Sequence, residues 1–206
     1  LNTDYFETFN KKNVRLIDLK ENPIVNITKN GIKTKNEEFK FDKIIFATGY
    51  DALSGPILSL NLTGRKNIKL NKYWKNGPIT YLGLMIPNFP NFFIISGPGS
   101  PSVLTNVPAQ IQQHVEWISE FIRYLEKSNS LSVEPEAKEA ENWVKKINTL
   151  AKKSLFMKAK NSWYKGDNIP GKPKTFIPYP AGLPQYREIC NKVRKKMYKG
   201  FNISLK

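Results

Sequence analysis

A short, unbroken apolar run from Ile44 to Ala47 constrains the fold more than any other stretch of this sequence. The run is too short for a buried helix, and it ends at Thr48-Gly49. Because apolar side chains would occupy both faces, the run is typical of a strand buried between two layers of an α/β protein. Ligands of open α/β sheets bind at the carboxyl ends of such strands, where Gly49 would allow a close approach to the backbone. A glycine that only turns the chain explains these residues at least as well.

Residues 89–102, with the sequence FPNFFIISGPGSPS, repeat the pattern of an apolar run that ends in glycine. The run from Phe92 to Ile95 predicts a second buried strand. A helix should follow, capped by Thr105 or Asn106 and with Pro108 in its first turn. Its apolar stripe would consist of Ile111, Val115, Ile118, Ile122 and Leu125. A glycine-rich turn before a helix start suits an anion, although GPGSPS lacks the GxGxxG pattern.

Three other segments carry clear local signals. Apolar and polar residues alternate in Asn13–Leu19 and in Pro23–Thr34, and the Asn30-Gly31 dipeptide predicts a hairpin turn. Apolar residues at helical spacing predict two further helices, one within residues 135–155 and one within residues 183–201. Strands and helices together indicate a mixed α/β protein.

The single cysteine and the single histidine limit the chemistry of the chain. One cysteine excludes an internal disulfide framework and a cysteine-based zinc cluster, and one histidine cannot anchor a histidine-rich metal site, so we expect no metal. Cys190 lies on the stripe of the last helix, which favours a small core residue over a nucleophile. His114 lies beside the first stripe with no serine or cysteine placed as a nucleophile near it, which favours a packing or surface role.

The net charge of +16, from 33 basic and 17 acidic residues, raises the question of a phosphate-bearing partner. The lysines are dispersed, however, and the only dense basic cluster is Arg194–Lys196, with Lys192 and Lys199 beside it. We therefore expect no nucleic acid as a partner. No apolar run approaches the ~20 residues of a membrane span, and no secretory start is present, so we expect a cytoplasmic protein without a membrane partner.

The segment SWYKGDNIPGKPKTFIPY, residues 162–179, has neither a helical nor a strand period. Its glycines and prolines predict a loop. An indole together with a Gly-Lys pair is not typical of a plain solvated loop, so this loop is a candidate functional element. A packed aromatic is the alternative role for Trp163 taken alone.

Six motifs, taken in order, resemble the C-terminal part of the Baeyer–Villiger monooxygenases, which are class B flavoprotein monooxygenases. They are FDKIIFATGYDA, GPITYLG, FPNFFIISGPGSPS, QHVEWI, EAENWV and SWYKGDNIPGKPKTFIPY. The resemblance implies the C-terminal part of a protein with two Rossmann-like domains for FAD and NADP, without its N-terminal βαβ unit. Residues 1–50 would be the tail of the NADP-binding domain, and residues 51–206 would belong to the FAD-binding domain, including a mobile loop at 160–179.

The resemblance also implies an activity. Enzymes of this family use NADPH and FAD to form a flavin peroxide from O2, and the peroxide inserts one oxygen next to a ketone carbonyl to give an ester or lactone. The implied partners are a small ketone, O2 and the missing N-terminal part of the same enzyme. The chain contains no GxGxxG motif and no counterpart of the family's catalytic arginine. We therefore expect a fragment that holds no catalytic residue and is inactive alone.

The resemblance assigns site residues by motif position. Those implied to bind cofactors are Thr48, Gly49, Asp51, Asn106, Val107, Trp163 and Lys172, and those implied to border the substrate are Ser102, Val103, Leu104 and Thr105. Two other readings stay open at this point. One is a related flavin monooxygenase acting on amines or sulfides, and the other is a non-catalytic basic binding module.

Overall fold

The computed structural model describes residues 3–205, which form a mixed arrangement of helices and antiparallel sheets. The chain divides into two compact units, residues 1–49 and residues 50–206. Over the described residues, no helix is both long enough and apolar enough to cross a membrane.

The first unit is built on a three-stranded antiparallel sheet. Helix α1 (Tyr5–Thr8) precedes strands β1 (Ile24–Thr28), β2 (Gly31–Thr34) and β3 (Glu38–Lys40), in the order β1-β2-β3. Thr28 pairs with Gly31, so the predicted hairpin is confirmed, but its turn residues are Lys29 and Asn30, and Gly31 is the first residue of β2. Gly31 is required there because a Cβ atom would lie 1.8 Å from the Phe39 carbonyl oxygen.

Two predicted features of this unit are wrong. Residues 13–19, whose alternation is typical of a strand, form none, because no described strand makes a backbone ladder with them. Residues 44–47 form no strand either, and Ile45 and Phe46 are 90% and 66% exposed. A strand buried on both faces needs hydrogen-bonded neighbours, and no described segment supplies them.

The second unit begins with irregular chain that contains two short helices, α2 (Ser54–Ser59) and α3 (Leu70–Tyr73). The predicted strand from Phe92 to Ile95 is wrong, since only an isolated bridge forms between Phe93 and Met85. The Ile94 N–H nevertheless donates to the Leu84 carbonyl at 2.8 Å. The segment packs as irregular backbone, and Asn91 and Ser96, on either side of it, both have a φ of +59°, which interrupts an extended strand.

Three long helices and a two-stranded sheet complete the second unit. They are α4 (Val107–Lys127), β4 (Ser130–Pro135), α5 (Ala137–Lys152), α6 (Leu183–Lys195) and β5 (Phe201–Leu205), and β4 pairs with β5 in antiparallel register. Both helices predicted within residues 135–155 and 183–201 are confirmed. They bury a common core that includes Trp143, Ile147, Tyr186, Cys190 and Val193.

Helix α4 exists as predicted, but the face that it buries is different. Of the predicted stripe Ile118 is buried, whereas Ile111, Val115 and Ile122 are roughly 40% exposed. The residues buried instead are Gln110, Gln113, His114, Trp117 and Phe121, together with Ile118. The helix is turned this way because His114 accepts the Ser96 backbone N–H, and Gln110 donates to the hydroxyl groups of Ser96 and Ser100 in the preceding glycine-rich turn.

Candidate functional site

Residues 162–177, called here the Trp163 loop, are an ordered turn closed by backbone hydrogen bonds. A 3₁₀ turn spans Trp163–Lys165. The Thr175 N–H then donates to the Lys165 carbonyl at 3.0 Å, and the Ile177 N–H donates to the Tyr164 carbonyl at 2.8 Å. Gly166 follows the turn with a φ of +69°, a conformation that favours glycine. The sequence signals for a loop at this position are therefore confirmed.

An aromatic stack carries the Trp163 side chain. Its ring lies on Tyr164 with centroids 4.2 Å apart, and Tyr164 in turn stacks on the buried Phe176 at 6.3 Å. Trp163 itself is only half-buried. Within residues 3–205 nothing accepts a hydrogen bond from its indole N–H. The loop thus presents a rigid indole with a free donor.

An internal acid fixes the first half of the loop. Asp167 accepts the Ser162 N–H at 2.5 Å and pairs with the Lys165 ammonium at 3.0 Å. The hydrogen bond from Lys165 is the main reason that the pKa of Asp167 lies below its ordinary value. Asp167 therefore stays ionised at neutral pH, and its carboxylate binds groups within the loop, the Ser162 N–H and the Lys165 ammonium.

Two predicted cofactor-contact residues meet each other in this structure. The Lys172 ammonium forms an ion pair with the Asp51 carboxylate, although 121 residues separate them in sequence. Beside this pair, the Asn168 side-chain amide donates to the Tyr50 carbonyl at 3.3 Å. The loop is therefore attached by side chains to the segment that follows Gly49.

Thr48 and Gly49 lie in the first unit, and both are exposed. Gly49 has a φ of +86°, and no atom lies within 4 Å of the place where its Cβ would be. Backbone conformation therefore requires glycine here, and the open space around it leaves room for a ligand to approach the backbone.

The start of helix α4 offers a second free donor. The Asn106 side chain caps the helix by accepting the Ala109 N–H at 3.1 Å, and Pro108 has no N–H to satisfy. Among the described residues no group accepts the Val107 N–H. This amide and the positive end of the helix dipole can together stabilise an electron-rich oxygen or nitrogen atom.

The four residues predicted to border a substrate lead into this helix start. Ser102–Leu104 form a 3₁₀ turn in which Ser102 is buried at a φ of +51°. Val103 is half-exposed, whereas Leu104 packs against the main core. Thr105 is extended and half-buried. The exposed side chain in this turn is therefore that of Val103.

The sequence reasoning missed a buried polar network that holds the glycine-rich turn. His114 Nδ1 accepts the Ser96 N–H at 3.0 Å, and Gln110 Nε2 donates to the hydroxyls of Ser96 and Ser100 at 3.1 and 3.2 Å. Burial lowers the pKa of His114 to about 4, so the imidazole is neutral and accepts at Nδ1. Gln110, Gln113 and His114 share one helical face, and this spacing was the available signal.

Backbone hydrogen bonds join the glycine-rich turn to the end of the Trp163 loop. The Gly99 N–H donates to the Ile177 carbonyl, and the Tyr179 N–H donates to the Ser100 carbonyl, both at 2.8 Å. The Trp143 indole also donates to the Gly99 carbonyl at 3.0 Å. The loop and the turn before α4 are therefore parts of one connected structure.

Comparison with known proteins gives a consistent result. No family model matches the sequence. Cyclohexanone 1,2-monooxygenase of Acinetobacter sp is 42% identical over 202 residues, which are 98% of this chain and 37% of that relative. A Baeyer-Villiger monooxygenase of Pseudooceanicola batsensis is 41% identical over 196 residues, which are 95% of this chain and 35% of that relative.

The solved structures agree with the sequences. The closed crystal structure of cyclohexanone monooxygenase superposes with a TM-score of 0.94 at 35% identity, and the match covers 100% of this chain and 38% of that one. An oxidised steroid monooxygenase bound to NADP gives a TM-score of 0.86 at 39% identity, with 100% and 38% covered. The chain thus spans about 37% of the length of the curated relatives that it matches. By sequence and by structure the chain is similar to Baeyer–Villiger monooxygenases and matches their C-terminal portion.

Proposed function

We propose that this chain is part of an FAD- and NADPH-dependent monooxygenase that inserts one oxygen atom of O2 next to a ketone carbonyl, giving an ester or lactone. The observation that carries the proposal is the connection between the two free donors. The indole of Trp163 and the amide of Val107 belong to segments that the backbone bonds at Gly99 and Ser100 hold together. The similar structures include a steroid monooxygenase bound to NADP and an enzyme in complex with FAD and NADP.

Residues 1–50 are proposed as the tail of the NADP-binding domain and residues 51–206 as part of the FAD-binding domain. The described residues fit such cofactors at three places. Val107 leaves an amide donor unpaired, Trp163 leaves an indole donor unpaired, and Gly49 has open space beside its backbone. When bound, the flavin would supply the oxygen activation and the nicotinamide would supply the hydride.

The residues of this chain would bind, orient and exclude water. The Val107 amide and the α4 dipole would stabilise negative charge at the edge of a reduced flavin, a contribution of ~1 kcal/mol from the dipole. Asn106 keeps that helix start in place through its cap. Thr48 and Gly49 would lie along a cofactor.

The Trp163 loop would cover the bound NADP. Its indole would donate one hydrogen bond and shield the reacting centre from water, which protects a reactive intermediate from hydrolysis. Ser102, Val103, Leu104 and Thr105 would border the ketone, with Val103 as the exposed side chain.

Two variants of the full-length enzyme test this proposal by separating the indole donor from the aromatic stack. Trp163→Phe keeps a ring on Tyr164 and removes the N–H, whereas Trp163→Ala removes both. Loss of one hydrogen bond should raise the KM for NADPH by roughly 2- to 10-fold in the Phe variant. The Ala variant should also release more hydrogen peroxide per NADPH consumed, because water reaches the site.

The matched control is Leu131→Ala, which truncates an exposed apolar side chain of β4. It should leave both quantities unchanged. The proposal fails if the full-length protein consumes no NADPH with any ketone. The role of Trp163 fails if both of its variants keep the control's KM and its level of peroxide release.

A further inference from the structure

Asp51 and Lys172 form an ion pair with one another, although their motif positions predicted contacts with a cofactor. The Lys172 side chain is 10% exposed and that of Asp51 is 42% exposed. Within residues 3–205, Asp51 is the only acid that pairs with Lys172. Removal of Asp51 alone would therefore leave a largely buried ammonium group without a counter-ion, which is strongly unfavourable.

The position of Asp51 is itself determined by its neighbours. A Cβ atom on Gly55 would lie 2.6 to 2.8 Å from the Asp51 side chain. Asp51 thus lies against the bare backbone at Gly55, and a larger residue there would push the carboxylate away. The acid that meets Lys172 is held in place by the segment that contains it.

A second attachment lies four residues from Lys172. The Asn168 amide donates to the Tyr50 carbonyl, one residue from Asp51. The Asn168 Oδ1 atom is buried and has no partner among the described residues. Both attachments therefore join the loop to residues 50–51.

Two glycines lie close to the attached residues of the loop, Gly166 before Asn168 and Gly171 directly before Lys172. Gly166 and Gly171 have φ values of +69° and +77°, and at Gly171 no atom lies within 4 Å of a Cβ position. Thr175 and Ile177, by contrast, are held by backbone hydrogen bonds. The segment from Gly166 to Lys172 thus contains two residues in glycine-favoured conformations, and the side chains of Asp167, Asn168 and Lys172 hold it in place.

We infer that the Asp51–Lys172 ion pair, supported by Asn168, is a latch that keeps the segment 166–172 closed before any cofactor binds. Lys172 and Asp51 are then positioning residues that act through the loop. This inference rests on the proposed function for its role in the reaction, but the latch itself does not depend on it. Segment 166–172 would already be ordered before a cofactor binds. Less of the binding free energy would therefore be spent on ordering it.

Backbone hydrogen exchange of the full-length protein without NADP tests the latch directly. Lys172→Met removes the charge and keeps most of the side-chain volume, and it should speed exchange in residues 166–172 by about tenfold. The matched control is Lys174→Met in the same loop, where the lysine is exposed. Exchange in that variant should equal the wild type. Equal exchange in the two variants would overturn the latch.

A double-mutant cycle identifies the partner. Asp51→Asn should speed exchange in the same segment, and adding it to Lys172→Met should bring little further change because the pair is already broken. Strictly additive effects would show that the two residues act separately, and the inference would be wrong. The thermal midpoints of Lys172→Met and of the double variant should stay close to that of the wild type, since neither leaves an unpaired ammonium and the latch restrains a local segment.

Peroxide release then links the latch to the reaction. In the full-length enzyme, Lys172→Met should raise hydrogen peroxide release per NADPH, whereas Lys174→Met should not. Faster exchange without extra release would overturn the role in the reaction. An enzyme that accepts no ketone would refute the proposed function and leave the exchange result for the latch unaffected.

Discussion

The two units of the chain use antiparallel strands but differ in what their strands bury. The described residues of the first unit bury Asn22, Gly31 and Thr34, whereas none of their large apolar side chains is buried, and Val25 and Ile45 are exposed. The second unit buries a continuous aromatic core. Within it, Phe121 stacks on Tyr198 at 3.9 Å and meets Phe201 at 4.9 Å and Trp117 at 5.2 Å.

The difference shows what local pattern can and cannot specify. Alternation and the Asn-Gly signal predict that β1 and β2 pair, although the turn lies one residue earlier and the ladder is irregular between Ile24 and Asn26. A core additionally needs apolar groups from distant segments, and the second unit obtains these from three helices and β5.

The largest effect is expected from one substitution made in both units. Ile147 is 2% exposed in the core of the second unit, and Ile27 is 50% exposed on β1. Ile147→Ala should lower the free energy of unfolding by about 2–5 kcal/mol, because it removes buried methyl groups and leaves a cavity. Ile27→Ala should change it by about 0.5 kcal/mol or less. Denaturant unfolding of the full-length protein, followed in each unit by hydrogen exchange, measures both.

Equal losses for the two variants would break the comparison. They would show that Ile27 is as well covered as Ile147 in the full-length protein.

A smaller effect should distinguish the units by their response to acid. The pKa of buried His114, about 4, lies below its ordinary value of 6.5, so the unfolded chain binds more protons between those pH values. Stability of the second unit should therefore fall as the pH falls from 6.5 to 4, by about 2–3 kcal/mol from this group. Calorimetry at pH 7 and pH 4.5 measures the loss.

His114→Asn is the matched variant for this effect, because its Oδ1 can still accept the Ser96 N–H but does not titrate. Its loss of stability on acidification should be smaller than that of the wild type. The same loss in both proteins would mean that other groups account for the acid response.

The smallest effect concerns one carboxylate in each unit. Glu134 accepts Arg65 Nε and the Asn88 N–H, each at 2.6 Å, and is 16% exposed, so Glu134→Gln should cost about 1–2 kcal/mol. Glu37 pairs with Arg15 at the surface, and Glu37→Gln should cost about 0.5 kcal/mol or less. Thermal unfolding at low and high salt measures both, and a larger loss for Glu37→Gln would reverse the comparison.

The sequence predicts those elements whose formation depends on their own residues. Helices α5 and α6 follow from uninterrupted stripes, and the β1–β2 hairpin follows from its turn. The apolar runs at 44–47 and 92–95 were wrongly predicted as strands, because a strand depends on partners that the run does not contain. The face of α4 was wrongly predicted because Gln110 and His114 form hydrogen bonds to Ser96 and Ser100 of the glycine-rich turn. Ile111 and Val115 consequently lie toward solvent.

The candidate site likewise has features that local sequence predicts and features that depend on distant residues. The loop and the cap at Asn106 can be read from composition and spacing, and the resemblance draws attention to Trp163. The pairing of Asp51 with Lys172 has no local signal, since 121 residues separate the two. Which residues face one another across such a distance is determined only by the folded chain.

The four tryptophans differ in a way that makes the protein its own optical reporter. Trp74, Trp117 and Trp143 are buried, and each donates its indole N–H to a backbone carbonyl, at 3.1, 2.9 and 3.0 Å. Trp163 is half-buried and its indole has no such partner among residues 3–205. A shift in the long-wavelength edge of the emission spectrum, or a change in its quenching by iodide, would therefore report on the surroundings of Trp163 without any attached dye.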